Sequence, residues 1–363
     1  MMEESPKHRR VAMWRWQEKL AAGYLLIFLL VALLIPLSGW LPNPNSTGFP
    51  VANPPFQFST EAINFLGTDE IGRDVLANLV GGAQTALLVS VPAMMLATII
   101  GVTLGSLAGF WGDTTFRIYQ VSFIISIIVL LSGIYYGFYV QQFYWTNAIQ
   151  AGLGAVLRQS GKVLFIFILL SGLGWLLVKV FQKLGWKKRI TLPLDQLILK
   201  IIEVVGSVPR LLLILCLAAF AKPTIFNIGL LATFTYWAGI ARLVRGELLQ
   251  IKELPYIQAA RVAGLPEWRI LFREALPNAL PSVIVAIAFG LGNLMSLEAT
   301  LSYLNVGVPV EVASWGRLMK GNRSIPQAWW LLFFPAFTLC CTIVSLQVIA
   351  NRIQKWLDPT RNI

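Results

Sequence analysis

The sequence predicts an all-α polytopic membrane protein, and two observations carry that class. Hydrophobic residues fill 56% of the 363 positions, charged residues only 13%, and mean hydropathy is +0.69. Soluble domains run about 45–50% apolar and about 25% charged. The apolar residues also gather into eight long runs, each near the roughly 20 residues that carry a helix across a bilayer. Disordered, coiled-coil and collagen-like classes are excluded by the same composition.

The eight predicted spans lie at about 20–40, 84–110, 118–140, 162–181, 203–221, 226–246, 279–301 and 329–351. Ahead of the first, a polar tail (1–19) holds Lys7, Arg9, Arg10, Arg15, Lys19 and the only histidine, His8. The following run, Leu20 to Leu37, is too long for a signal-peptide core. It leads into Trp40-Leu41-Pro42-Asn43-Pro44 with no small-residue cleavage site, so an uncleaved anchor is expected. An outer segment (41–83) carries Pro42, Pro44, Pro50, Pro54 and Pro55, then the Gly/Asp-rich Leu66-Gly67-Thr68-Asp69-Glu70-Ile71-Gly72-Arg73-Asp74. In the second span Gly101, Gly105 and Gly109 recur every four residues. That spacing suits close static helix packing or a contact that slides during gating. Cys216, Cys340 and Cys341 sit inside apolar runs as packing residues and suggest neither disulfides nor zinc.

Charge sets the orientation. With the N-terminus inside, 21 of the 29 Lys and Arg fall in cytoplasmic segments, as the positive-inside rule requires. Both termini are then cytoplasmic, and the net charge of +12 follows from topology without a nucleic-acid partner. The last outer segment (302–328) contains Ser314-Trp315-Gly316 and ends at Trp329-Trp330, which suits an interfacial belt.

The largest inner segment, 247–278, is the most informative. Pro255 suits a first helical turn, Gly264 followed by Pro266 a helix stop, and Glu267 the start of a second short helix ending before Pro277. Ala259, Ala260 and Ala263 form a small-residue face flanked by Tyr256, Gln258 and Arg261. Taken alone, this is an amphipathic surface loop.

Gln258-Ala259-Ala260, then Gly264, then Leu276-Pro277 resembles the "EAA" loop of ABC-type importer permeases, with Gln258 in place of the glutamate and Glu274 where an apolar residue is common. Gly67-Thr68-Asp69 with Gly72-Arg73-Asp74 is similar to an outer-segment signature of the peptide/nickel (oligopeptide/dipeptide) branch, second-permease type. Arg261, Gly264, Ile270, Arg273 and Leu276-Pro277-Asn278 resemble that branch's loop. Glu298, Leu301-Ser302, Gly307, Ser314-Trp315-Gly316 and Leu357-Asp358-Pro359 follow in its order. The resemblance covers about 66–112 and 195–359. It implies the type I ABC importer permease fold: a six-helix core (84–112 and 195–351) interrupted by an inserted segment (113–194) bearing two extra spans, with a tail at 352–363. Two added spans preserve the parity that keeps the loop inside.

As the resemblance implies, such a permease pairs with a homologous second permease, two ABC ATPase subunits and an extracytoplasmic solute-binding protein in a prokaryotic plasma (inner) membrane. No Gly-x-x-x-x-Gly-Lys-[Ser/Thr] loop occurs here, so ATP and Mg are expected in the partner ATPases, with no cofactor on this chain and no catalysis by it. The ATPase-coupling residues are then Tyr256, Gln258, Ala259, Ala260, Arg261, Gly264 and Glu267. Arg210 and Glu298, ionisable within spans, are pathway or gate candidates, or else an interfacial snorkel and an interhelical pair. Asp69, Arg73 and Asp74 are either binding-protein docking residues or a Gly-punctuated turn with local salt bridges. The solute expected from the branch is a short peptide or peptide-like compound. A secondary transporter without an ATPase is the alternative; it would need broken-helix sites and internal repeats, and no repeat is evident. A membrane-embedded enzyme lacks support, since the body has no histidine, metal-ligand cluster or carboxylate pair.

Overall fold

The computed structural model describes residues 14–39, 41–56, 64–113, 117–145, 153–186, 188–191, 193–219, 224–309 and 311–357. Most of the predicted N-terminal tail with His8, the basic residues Lys187 and Lys222, and the C-terminal tail from residue 358 lie outside the described residues. Among the described residues the chain is all-α apart from one two-stranded antiparallel pair and an isolated bridge between Thr68 and Asp74, and it divides into two compact units, residues 1–110 with 198–363 and residues 111–197.

In the larger unit, α1 (Trp16–Ser38) opens with Glu18 Oε2 accepting the Arg15 N–H at 2.8 Å. The long α2 (Val75–Ser106) continues through a π-helical turn, Leu107–Trp111. It starts nine residues before the predicted span because Asp74 caps it, accepting the Ala77 N–H at 2.7 Å. α5 (Leu194–Ser207) and α6 (Arg210–Ala218) follow, then α7 (Ile225–Ile251), α8 (Pro255–Val262), α9 (Glu267–Ile270), α10 (Leu276–Tyr303), α11 (Trp315–Ser324) and α12 (Trp330–Leu357).

Six helices among the described residues are long and apolar enough to cross a membrane, or seven if the bent pair α5–α6 forms one span. Six of the eight expected spans fall on these helices, one on the bent pair and one on a more polar helix. The predicted 203–221 is broken by an 80° bend at Val208-Pro209, where proline denies the ladder a donor. The predicted 226–246 falls on α7, which carries Asn227, Thr233, Thr235 and Arg242 and is not among the six. Thr233 and Thr235 are buried against protein, while Arg242 is exposed. Gly101, Gly105 and Gly109 all face α7, and a Cβ on Gly105 would stand 2.6 Å from Ala241 O and one on Gly109 2.7 Å from Arg245 O. The glycine stripe is thus spent on close α2–α7 packing. Cys216 and Cys340 are exposed rather than packed.

The core of this unit centres on Trp315, fully buried against Phe28, Ala83, Ala86 and Met295, its Nε1–H donating to Leu79 O at 2.8 Å. α1 is tied to α12 by Tyr24, whose hydroxyl donates to Thr338 O at 3.0 Å, and by the Arg352–Glu18 pair at 3.6 Å.

In the smaller unit, α3 (Gln120–Ile134), extended by a π-helical turn Tyr135–Tyr139, packs along α4 (Leu153–Lys183). Glycines again admit the contact: Gly133 lies against the Phe167 ring, and a Cβ on Gly174 would stand 2.7 Å from Val129 Cγ2. At one end, β1 (Arg117–Tyr119) pairs antiparallel with β2 (Arg189–Thr191), Ile118 opposite Ile190.

Candidate functional site

The loop between α7 and α10 is built by three backbone-determining residues. Pro255 fills the first turn of α8, where its missing N–H costs nothing. Gly264 ends the helix in the left-handed conformation (φ +76°), and the Leu265 N–H returns to Ala260 O at 3.2 Å. Pro266 then caps α9. Across this turn Arg261 grips Glu267 with two hydrogen bonds, Nε to Oε1 at 3.0 Å and Nη2 to Oε2 at 3.3 Å.

The second short helix does not stop before Pro277, as the sequence suggested. A π-helical turn at Leu271–Ala275 resets the hydrogen-bond ladder, so Pro277 falls in the opening turn of α10, and the helix runs on to Tyr303. The loop is therefore one end of a continuous rod. Ile257 and Ile270 anchor it from beneath, both fully buried. The Arg261 guanidinium lies 5.5 Å from the Phe110 ring, Lys252 Nζ donates to Gly109 O at 3.4 Å, and Asn278 Nδ2 donates to the Tyr256 hydroxyl at 2.8 Å. Burial raises the Tyr256 phenol above its ordinary value.

The opposite face is bare. Val262 is 90% exposed and Trp268 62%, with Phe272, Ala259, Ala263 and Gly264 also open. Gln258 is exposed too, though its side-chain amide donates to Lys252 O at 3.1 Å, while Ala260 is half-buried. Beside the loop, Glu247, Gln250, Tyr256, Asn278 and Leu357 help line a cleft of about 320 Å³. The loop thus carries exposed apolar side chains on an element continuous with α10.

Residues 188–363, which hold this loop whole, match the model described as binding-protein-dependent transport system inner membrane component. The match takes in just under half of the chain, and over that stretch the chain is similar to that family. It is 26% identical over 297 residues to the oligopeptide transport system permease protein OppC of Bacillus subtilis, covering 82% of this chain and 72% of the relative. To the dipeptide transport system permease protein DppC of the same organism it is 27% identical over 357 residues, 95% of this chain and 84% of the relative. The probable D,D-dipeptide transport system permease protein DdpC of Escherichia coli is 23% identical over 337 residues, 92% and 85%. The peptide-transport permeases resembled by the loop and outer turn are thus the family found, and the chain is an integral membrane ABC transporter permease.

The remaining candidates of this permease sit as follows. In the outer turn, Asp69 Oδ1 accepts the N–H groups of Ile71 (3.0 Å) and Arg73 (2.8 Å), and Oδ2 takes Arg73 Nε at 2.7 Å. Asp74 caps α2, and burial raises its carboxyl above the ordinary value. Gly67 (φ +83°) lets segment 49–56 lie against this turn, and Trp330 Nε1–H donates to Thr68 O at 3.2 Å. All three charged side chains are buried. Their polar atoms hold the turn together, and what it shows outward is Ile71, which sequence reasoning passed over.

Arg210 stands at the break between α5 and α6, its guanidinium 4.6 Å from the Tyr236 ring of α7. Glu298 is 0% exposed; Oε1 accepts the hydroxyls of Ser302 and Ser314, each at 2.8 Å. It lines no open space in this conformation and binds α10 to the start of α11. Sequence reasoning also missed Val262, Trp268 and Phe272, although their spacing around Gly264 was available as a signal.

Proposed function

We propose that this chain is the transmembrane permease subunit of an ATP-driven ABC importer, forming the solute pathway with a second, homologous permease and coupling to separate ATPase subunits through the 255–268 loop. The observation that carries the reading is the bare apolar face of Val262, Trp268 and Phe272 on an element continuous with α10. A push on that face moves a 37-residue helical rod rather than a loop, which is what rocking between inward- and outward-open states requires. Tyr256, Gln258, Ala259, Ala260, Arg261, Gly264 and Glu267 shape or frame the face. ATP and Mg belong to the ATPases, and this chain is a non-catalytic subunit.

The similarity to peptide permeases supports a short peptide or peptide-like solute, delivered by an extracytoplasmic binding protein. The basic inner segments support a plasma-membrane location with cytoplasmic termini. The broken pair α5–α6 is a feature that secondary transporters share, yet the single break among the described residues, without a repeat-related counterpart there, does not assemble the symmetric site they use.

The test is mild-detergent purification of the chain co-expressed with its genomic neighbours, native against Gly264→Asp and against Trp268→Glu, whose exposed position spares the fold. ATPase subunits that copurify with the native chain and are lost or uncoupled in both variants support the reading. Failure of any ATPase to associate with the native chain overturns it. Uptake of labelled di- and oligopeptides by the reconstituted assembly tests the solute class.

A further inference from the structure

The smaller unit carries a basic cleft that the transport reading leaves unused. Between residues 179 and 189 the sequence places Lys179, Lys183, Lys187, Lys188 and Arg189 and no acidic residue. Over 111–197 eight basic residues face two acidic ones, Asp113 and Asp195. Asp113 is committed to the opening of α5, its Oδ1 accepting the N–H groups of Asp195 at 2.8 Å and Gln196 at 3.3 Å. The positive charge at this end of the hairpin therefore has little internal compensation.

The backbone shapes that charge into a site. α4 is closed by Gly185 (φ +92°), and the Trp186 N–H returns to Phe181 O at 3.1 Å, with the two rings 5.5 Å apart. The Gln120 N–H donates to Lys188 O at 2.9 Å, and the β1–β2 pair locks that strand to the start of α3. Between them opens a cleft of about 250 Å³ lined by Gln120, Val121, Ile124, Gly185, Trp186 and Lys188. One wall is apolar (Val121, Ile124, Trp186), Lys188 is the cation among the lining residues, and Lys183 and Arg189 lie close to it in sequence on either side. Nearby cations sit on aromatic rings, Lys179 Nζ 3.7 Å from the Trp175 centroid and Arg189 5.2 Å from that of Tyr119, an arrangement suited to the headgroup layer. The cleft lies at the ends of two helices, α3 and α4, that are apolar enough to span.

We infer that this cleft binds an anionic phospholipid, its phosphodiester at Gln120 and Lys188 within the field of Lys183 and Arg189, its first acyl carbons on Val121, Ile124 and Trp186. A soluble anion would gain nothing from the apolar wall, and a zwitterionic lipid would gain little from the uncompensated charge. Each basic residue near an anionic headgroup is worth about fivefold in affinity. The inference is independent of ATPase coupling.

The experiment is lipid retention by the full chain purified in mild detergent, measured by native mass spectrometry with phosphatidylglycerol against phosphatidylcholine. The native chain retains the anionic lipid at least about 25-fold better. Lys183→Gln with Lys188→Gln lowers that retention about 25-fold, Trp186→Ala lowers it for both lipids, and Arg158→Gln with Lys162→Gln near the other end of α4 leaves it unchanged. Equal retention of the two lipids, indifference to the lysine pair, or an equal loss in the Arg158/Lys162 control overturns the proposal. Displacement of the bound lipid by inorganic phosphate would assign the cleft to a soluble anion and overturns it as well.

Discussion

Ser314 Oγ donates to Glu298 Oε1 at 2.8 Å, so one carboxyl oxygen with no solvent exposure joins the C-terminal end of α10 to the residue that starts α11. Ser314 in turn accepts the Gly316 N–H at 3.2 Å, and Trp315 follows directly into the core. Glu298→Ala would orphan two buried hydroxyls and leave a cavity, at a cost of about 2–4 kcal/mol. Glu298→Gln keeps an acceptor oxygen and costs less. Thermal unfolding of the purified chain in detergent is expected to rank native above Gln above Ala; an Ala variant as stable as the native chain would refute the structural role.

Close approach of α2 to α7 makes a second expectation. A methyl on Gly105 would press into Ala241 O at 2.6 Å and Val244 Cβ at 2.9 Å, neither of which can swing away, so Gly105→Ala should cost about 1–3 kcal/mol. Gly172, on α4, has nothing within 4 Å of its Cβ position, and Gly172→Ala should leave stability unchanged or slightly improved. The difference in melting temperature between the two variants checks the packing directly.

Asp74 gives a pH dependence of unusual sign. Its folded carboxyl is raised by burial, so between the unfolded and folded values the native state binds more protons than the unfolded chain, and stability falls as pH rises through that window. Asp74→Asn keeps an oxygen for the Ala77 N–H without the buried charge. Measured from about pH 4 to about pH 7, the native chain should lose stability relative to the Asn variant as pH rises. Asp74→Ala should be about 1 kcal/mol weaker across the range for want of a cap. A stability difference that does not change with pH would show that the carboxyl does not titrate in this window.

Legibility differed from element to element for physical reasons. The turn between α8 and α9 could be read because Pro255, Gly264 and Pro266 each dictate a local backbone geometry, and local geometry is what sequence encodes most directly. The continuation of α9 into α10 could not, since the π-helical turn that accommodates Pro277 depends on the packing of Leu271 and Ala275. A hydropathy window averages across Val208-Pro209 and so hid the 80° break, although the proline was in plain view. At Asp69 and Arg73 the four-residue spacing announced a pair, but spacing carries no sign for inward or outward. Only segment 49–56, folded back over the turn, decides that the pair is buried. Glu298 was flagged for its cost in lipid, and the partner that meets that cost, Ser314, lies sixteen residues away across a turn.

Arg261 and Glu267 supply the sharpest test of the loop as a coupling element. Their side chains are 31% and 42% exposed, so the pair contributes only about 0.2–1 kcal/mol to stability, and either single change should leave the chain folded. What the pair does is fix the angle between α8 and α9, and with it the relation of Val262 to Trp268. Arg261→Ala and Glu267→Ala should therefore each lower ATP-driven uptake severalfold at nearly unchanged melting temperature. The exchange Arg261→Glu with Glu267→Arg should recover much of the loss, because the bridge is remade in reverse. Singles without effect would remove the pair from coupling. Failure of the exchange to recover uptake would mean that Arg261 or Glu267 touches the ATPase itself, since a contact with a partner is not restored by swapping charges within the loop.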